Sequence, residues 1–214
     1  MKQKLTAIGE AVLIALVILA GAIAVPILCR PFFYLHIKLL GLADRVGLTI
    51  AEAKIAYNEM MDFCMGLTDT FSVGELPWSA SAMEHFADVR KLFVLDLCTF
   101  AGATLLLIGA RWFGRKKTVR LLGHTSGFWG AIGLGILFLT IGTWAALDFD
   151  RAFVVFHQLF FPGKSNWLFD SRKDPIINML PAEFFRNCAI LILVIILVSC
   201  CLLIIWDQKS RHKK

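Results

Sequence analysis

What this chain is short of narrows its class before any motif is read. Charge is scarce: 18% of its 214 residues are Asp, Glu, Lys or Arg, where a soluble domain carries about a quarter. In their place stand 58% hydrophobic residues and a mean hydropathy of +0.71, gathered in long uncharged runs. That distribution excludes disorder, a coiled coil, a disulfide-rich secreted module and an ordinary soluble enzyme. Internal repeats and low-complexity linkers are also missing, so one integral membrane domain over residues 1–214 is expected.

Chemical signatures are missing as well. The six cysteines contain no C-x-x-C pair, so neither zinc ligation nor dithiol redox chemistry has a site. Cys98, Cys188, Cys200 and Cys201 fall in apolar runs and Cys29 at the edge of one; only Cys64 is plainly outside, and all six read as small apolar filler. There is no G-x-S-x-G elbow, no H-E-x-x-H, no P-loop and no dinucleotide fingerprint. No metal and no cofactor are expected. The pI near 9.1 and net charge of +6 are a signature of membrane orientation rather than of nucleic-acid binding, because the bases cluster beside the apolar runs.

Four runs are long enough to cross a bilayer, which takes about 20 apolar residues: 11–29, 92–110, 126–147 and 188–206. Only Asp96 is charged within them. Backbone in lipid must pair internally, so all four are expected as helices, an all-α polytopic fold. Lys2 and Lys4 precede the first run. Arg111, Arg115, Lys116, Lys117 and Arg120 fill the second connection without an acid, and Lys209, Arg211, Lys213 and Lys214 follow the fourth. Positive flanks lie inside, so both termini are expected in the cytoplasm, with segments 30–91 and 148–187 outside. These two segments hold every acid except Glu10, Asp96 and Asp207. Ala22-Ile23-Ala24 resembles a signal-peptidase site, but the run is longer than a signal core and the numbering keeps Met1, so an uncleaved first span is expected. Leu28 before Cys29 argues against a lipidated cysteine. In the third run Gly127, Ala131 and Gly135 recur every four residues, with Gly130, Gly133 and Gly142 nearby, a stripe for close helix packing within the bundle.

The outer segments carry helix signals. Thr49-Ile-Ala-Glu52 is a capping box that predicts a helix over 50–66. Residues 32–46 read as an amphipathic helix in the headgroup layer. Ser81-Ala-Met-Glu84 is a second capping box, starting a helix that runs into the second span and sets His85 in its first turns. Asp88 is one turn further and Asp96 three turns, so the three define a polar stripe; the alternative is that Asp96 pairs with Arg90 for structure alone. If the third span's helix continues outward, Asp150 and His157 share a face. Residues 164–181 interleave Trp167 and Phe169 with Lys164, Asp170, Arg172 and Asp174, an interfacial pattern that a purely structural loop shares. His36, His124 and His212 are weaker candidates. Two histidines at neighbouring span ends, each with acids at helical spacing, suit paired acid–base chemistry on an amphiphile that brings its own nucleophile.

The stretches His85-Phe-Ala-Asp88-Val-Arg-Lys-Leu-Phe and Phe156-His157-Gln-Leu-Phe-Phe-Pro-Gly…Trp167-Leu-Phe-Asp170…Asp174…Leu180-Pro181…Phe184-Phe185 resemble signatures of the lipoprotein intramolecular transacylase family (Lit-type) of Gram-positive bacteria. The likeness covers nearly the whole chain. Phe86 stands where that family's pattern has methionine, an apolar exchange. The resemblance implies transfer of the sn-2 acyl chain of a diacylglyceryl lipoprotein to the α-amine of its N-terminal cysteine, giving a lyso-form. It implies His85 and His157 as the catalytic pair, at the extracytoplasmic side of the bacterial cytoplasmic membrane. Substrate lipoprotein and membrane phospholipid are the expected partners. Asp88, Asp96, Asp150, Trp167, Asp170, Asp174 and Lys164 are expected to support the site. Asp88 and Asp150 would orient the histidines, and Lys164, Asn166, Trp167 or Arg172 would donate to the oxyanion. Two other readings fit two membrane histidines: axial ligation of a haem for electron transfer, or a non-catalytic chaperone for lipidated proteins.

Overall fold

A computed structural model of the protein describes residues 2–113 and 120–212. Arg115, Lys116, Lys117, Lys213 and Lys214, part of the expected cytoplasmic flanks, lie outside the described residues. The chain is helical: α1 (Lys2–Leu28), α2 (Arg30–Leu39), α3 (Ile50–Cys64), α4 (Ala80–Phe113), α5 (Ser126–Leu147), α6 (Phe149–Phe160), α7 (Ile176–Met179) and α8 (Ala182–His212). A hairpin of two-residue strands, β1 (Arg120–Leu121) and β2 (His124–Thr125), precedes α5. Among the described residues four helices, α1, α4, α5 and α8, are long and apolar enough to cross a membrane. They match the four expected runs, except that α1 ends at Leu28, one residue short of the first.

Two compact units divide the chain. The first comprises residues 1–25, 96–146 and 190–214. Its core is small: Ala22, Ala131, Leu134, Ile196 and Cys200, with Ile18, Phe138 and Leu203 packed around them. The glycine stripe of α5 does pack helices, on two sides. Gly127 and Gly135 face Leu203 and Cys200 of α8, and a Cβ on Gly130 would stand 2.7 Å from the carbonyl oxygen of Ala11 in α1. Below this core the fully buried carboxylate of Asp207 accepts from the Thr125 N–H at 2.7 Å and from His124 Nδ1 at 2.8 Å, fastening β2 to α8.

The second unit comprises residues 26–95 and 147–189. Its first layer is α2 against α3. Phe33 stacks on Tyr57 at 3.6 Å, Arg30 pairs with Asp62 at 2.5 Å, and Tyr34 donates to Asn58 at 2.7 Å. The Thr49 capping box forms as expected, with Glu52 N–H on the Thr49 hydroxyl and the Glu52 carboxylate on the Thr49 N–H. The helix ends where Gly66 takes φ +76° and its N–H bonds the Phe63 carbonyl, a left-handed closure that suits glycine.

Three expectations are corrected here. Residues 32–46 are not one helix: α2 stops at Leu39, Gly41 turns the chain at φ +60°, and Asp44–Val46 form a separate 3-10 turn. The α4 cap is Ser79 rather than Ser81, since Ser79 Oγ accepts from the Ala82 N–H at 3.1 Å. The third span does not continue outward. α5 stops at Leu147, Asp148 adopts φ −152° and caps α6 by accepting from the Arg151 N–H, so His157 rides on its own short helix.

Candidate active site

His85 and His157 meet in the second unit. His85 lies in the second turn of α4 and His157 in the last turn of α6; they are 5% and 8% exposed. Their ring centroids are 5.9 Å apart with planes 28° from parallel. Aromatic rings close the space around them. Phe161 and Phe169 stand edge-on to His85 at 5.0 and 5.4 Å, while Phe153 and Trp167 lie 4.2 and 4.7 Å from His157.

Each ring's protonation state follows from its surroundings. His157 Nδ1 donates to the Phe153 carbonyl at 2.8 Å, one turn back in α6. That fixes the tautomer and leaves Nε2 with a free lone pair. Burial lowers the His157 pKa against that bond. His85 Nδ1 is buried without a hydrogen-bond partner among the described residues. Burial pushes His85 down to about 4, helped by the nearby His157 and Lys164 and opposed by Asp88. Both imidazoles are therefore neutral at pH 7.

The acids do not orient the rings as expected. Asp150 is not the partner of His157, because the Phe153 carbonyl has that place. Asp88 is nearly buried and faces the 163–167 loop instead of bonding His85. It accepts from Lys91 Nζ at 2.9 Å, from Lys164 Nζ, and from Asn166 Nδ2 at 3.4 Å. Burial would raise the Asp88 pKa, but these donors win and hold it at about 2. The carboxylate thus ties the loop to α4, and that loop carries Trp167, whose Nε1 donates to the Lys164 carbonyl at 3.0 Å. Asp174 supports the site from further away. Its carboxylate takes the Ser79 N–H at 2.6 Å and the Ser79 hydroxyl at 2.9 Å, fixing the residue that caps α4. Asp170 serves its own turn, pairing with Arg172 at 3.2 Å.

Asp96 lies in the first unit, with Oδ2 buried and without a hydrogen-bond partner among the described residues. Arg90 does not pair with it, being taken by Asp69 at 2.8 Å and the Thr68 carbonyl at 3.0 Å. The four oxyanion candidates all have donors engaged: Lys164 and Asn166 on Asp88, Trp167 on Lys164, Arg172 on Asp170. His36 is structural: its Nδ1 donates to the Phe32 carbonyl at 2.7 Å and its Nε2 accepts from Asn187 at 3.0 Å. Burial pushes the Cys64 thiol up to about 12, which makes it inert. Phe161 and Lys91 escaped the sequence reading. Phe161 is one turn beyond His157 and Lys91 one turn beyond Asp88, spacings that were available in the sequence.

An all-helical integral membrane protein with two neutral histidines buried among aromatic rings is the class that fold and site define. The family model for "Lipoprotein intramolecular transacylase Lit" matches residues 8–185. Among solved structures, the membrane integral lipoprotein intramolecular transacylase Lit from Bacillus cereus, determined in meso, is 27% identical. The match covers 100% of this chain and 99% of that one, with a TM-score of 0.87. The same protein with an H85R mutation is 25% identical, covering 100% and 95% at a TM-score of 0.80. With an H85A mutation it is 25% identical, covering 100% and 96% at 0.79. A comparison with curated proteins finds no match. The chain belongs to the Lit family of lipoprotein transacylases.

Proposed function

We propose that the protein moves the sn-2 acyl chain of a diacylglyceryl lipoprotein onto the α-amine of its N-terminal cysteine, with His85 and His157 handling the protons. The observation that carries this reading is the pair of neutral, buried imidazoles 5.9 Å apart in a chain of this family. The amine is the nucleophile, which accounts for a site built without a serine or cysteine nucleophile. An α-amino group has a pKa near 7.7–8.0, so it must lose a proton before it attacks. That proton goes to solvent, and the Nε2 lone pair of His157 is suited to accept the next one, which the nitrogen sheds as it bonds the acyl carbon. A new N–C bond forms at the acyl carbon, the sn-2 C–O bond breaks, and the leaving oxygen takes a proton back from the histidine pair. No proton is consumed and the product has the mass of the substrate. Because both groups belong to one molecule, holding them in register supplies most of the rate advantage; the ring wall of Phe153, Phe161, Phe169 and Trp167 is the surface that does so.

In this reading the termini are cytoplasmic and the histidine pair is extracytoplasmic, which the basic residues flanking the first, second and fourth runs in the sequence support. Val155, Phe156 and Leu159, exposed on α6, suit contact with phospholipid beside the site. The test is mass spectrometry of a lipoprotein's N-terminal peptide from a host that leaves the amine free, with and without this gene. An N-linked acyl chain at unchanged total mass is expected, and His157→Ala or His85→Ala abolishes it. An unmodified amine despite good expression, or near-normal turnover by His157→Ala, refutes the proposal.

A further inference from the structure

Asn166 has an amide whose two ends are treated differently. Its Nδ2 donates to Asp88 Oδ2 at 3.4 Å, while its Oδ1 is buried with no partner among the described residues. The amide is held this way round. Asp88 is a carboxylate and only accepts, and turning the amide over would set two oxygens against each other. Lys91 and Lys164 keep Asp88 in place and charged. The sequence alone offered Asn166 as a donor to an oxyanion; the structure spends its donor on Asp88 and leaves its acceptor buried. A buried acceptor without a partner is costly to keep, and the next residue, Trp167, lies 4.7 Å from His157.

We infer that Asn166 positions the substrate's α-amine by accepting one of its N–H bonds at Oδ1. This rests on the transacylase reading. The sn-2 ester and the thioether of the substrate have only acceptors, so they have nothing to offer Oδ1. The amine has N–H groups, and holding it there fixes the nucleophile while His157 takes its other proton. The charges agree: two lysine ammonium groups against one carboxylate leave the cluster with a net positive charge, which favours a neutral amine over an ammonium ion. Asn166 is a positioning residue here, and the proton chemistry stays with the histidines.

The experiment uses two unreactive ligands, diether analogues of the diacylglyceryl-cysteine peptide. One has the free α-amine and the other has hydrogen in its place. The full-length enzyme in nanodiscs is expected to bind the amine form about tenfold more tightly, and Asn166→Leu to bind both alike by weakening only the amine form. A merely structural role for Asn166 would weaken both ligands equally, and that result overturns the inference. So does equal binding of the two ligands by the unmodified enzyme. If Asn166→Leu does not fold, Asn166→Ser gives the same comparison, since its shorter side chain cannot reach. Turnover of the natural diacylglyceryl substrate by the unmodified enzyme is measured alongside. Absence of N-acyl product there defeats the transacylase reading, whereas product formed without an amine preference defeats only the role of Asn166.

Discussion

Asp88→Asn tests whether the loop over His157 is tethered by one carboxylate. Asp88 accepts from Lys164, Lys91 and Asn166 with 9% of its side chain exposed, while Lys164 and Lys91 are 46% and 76% exposed. Stranding a partner of a fully buried ion pair costs about 3–5 kcal/mol. Here both lysines reach water once released, so the loss is smaller. The Lys164 contact accounts for about 1.5 kcal/mol as a hydrogen bond to a charged group. The Lys91 contact, largely in solvent, is worth less than about 1 kcal/mol. Asparagine keeps one acceptor oxygen but turns an NH2 toward an ammonium group. The expected loss is about 2 kcal/mol, or roughly 30-fold in kcat/KM, because the loop places Trp167 against His157. The assay is appearance of N-acyl peptide from a purified diacylglyceryl lipopeptide, followed by mass spectrometry with melting temperature in parallel. Lys91→Met is expected within about threefold of the parent enzyme. Full activity of Asp88→Asn, or an equal loss for Lys91→Met, refutes the tether.

With burial lowering both histidine pKa values, that of His85 to about 4, kcat/KM is expected to follow the substrate amine. It rises about tenfold per pH unit up to roughly 7.7 and levels above that. A break near 6.5 in the pH–rate profile contradicts the burial of the histidines. The same burial makes stability pH-dependent. His85 has a folded pKa of about 4, below its unfolded value, so the unfolded chain binds more protons between about 4 and 6.5. Stability therefore falls as pH drops through that window, by on the order of 3 kcal/mol, and thermal unfolding at pH 4.5 and 7 checks the sign. Gly130→Ala puts a methyl carbon 2.7 Å from the Ala11 carbonyl oxygen; a loss of about 1–3 kcal/mol is expected, read as a lowered melting temperature.

The long apolar runs announced their helices, because membrane burial demands about 20 uncharged residues in a row and nothing else in the chain supplies them. The Thr49–Glu52 box was legible for a similar reason: its partners are three residues apart. The site was legible only as far as local spacing reaches. His85 and Asp88 do share a face of α4, but the partners of Asp88 are Lys164 and Asn166, 76 and 78 residues away. Ser81 had the better sequence for a cap, yet Ser79 takes the position because Asp174, 95 residues on, holds its N–H and hydroxyl. Asp150 lost His157 to a backbone carbonyl, which sequence patterns do not display. Which end of Asn166 is free depended on where a distant carboxylate stands.

The two histidines are joined to their spans in mechanically different ways. His85 belongs to the unbroken shaft of α4, where each added residue turns everything beyond it by about 100°. One insertion or deletion between His85 and the membrane-spanning stretch would swing its imidazole to another side of the helix. His157 has a clutch: the chain leaves helical geometry at Asp148 and α6 restarts from its own cap. A length change in α5 is expected to leave the α6 cap and the position of His157 along α6 unchanged. If the proposed chemistry holds, drift in span length is expected to be tolerated ahead of His157 and not beside His85, and homologues with a lengthened third span are expected to keep an aspartate or another capping residue at this joint.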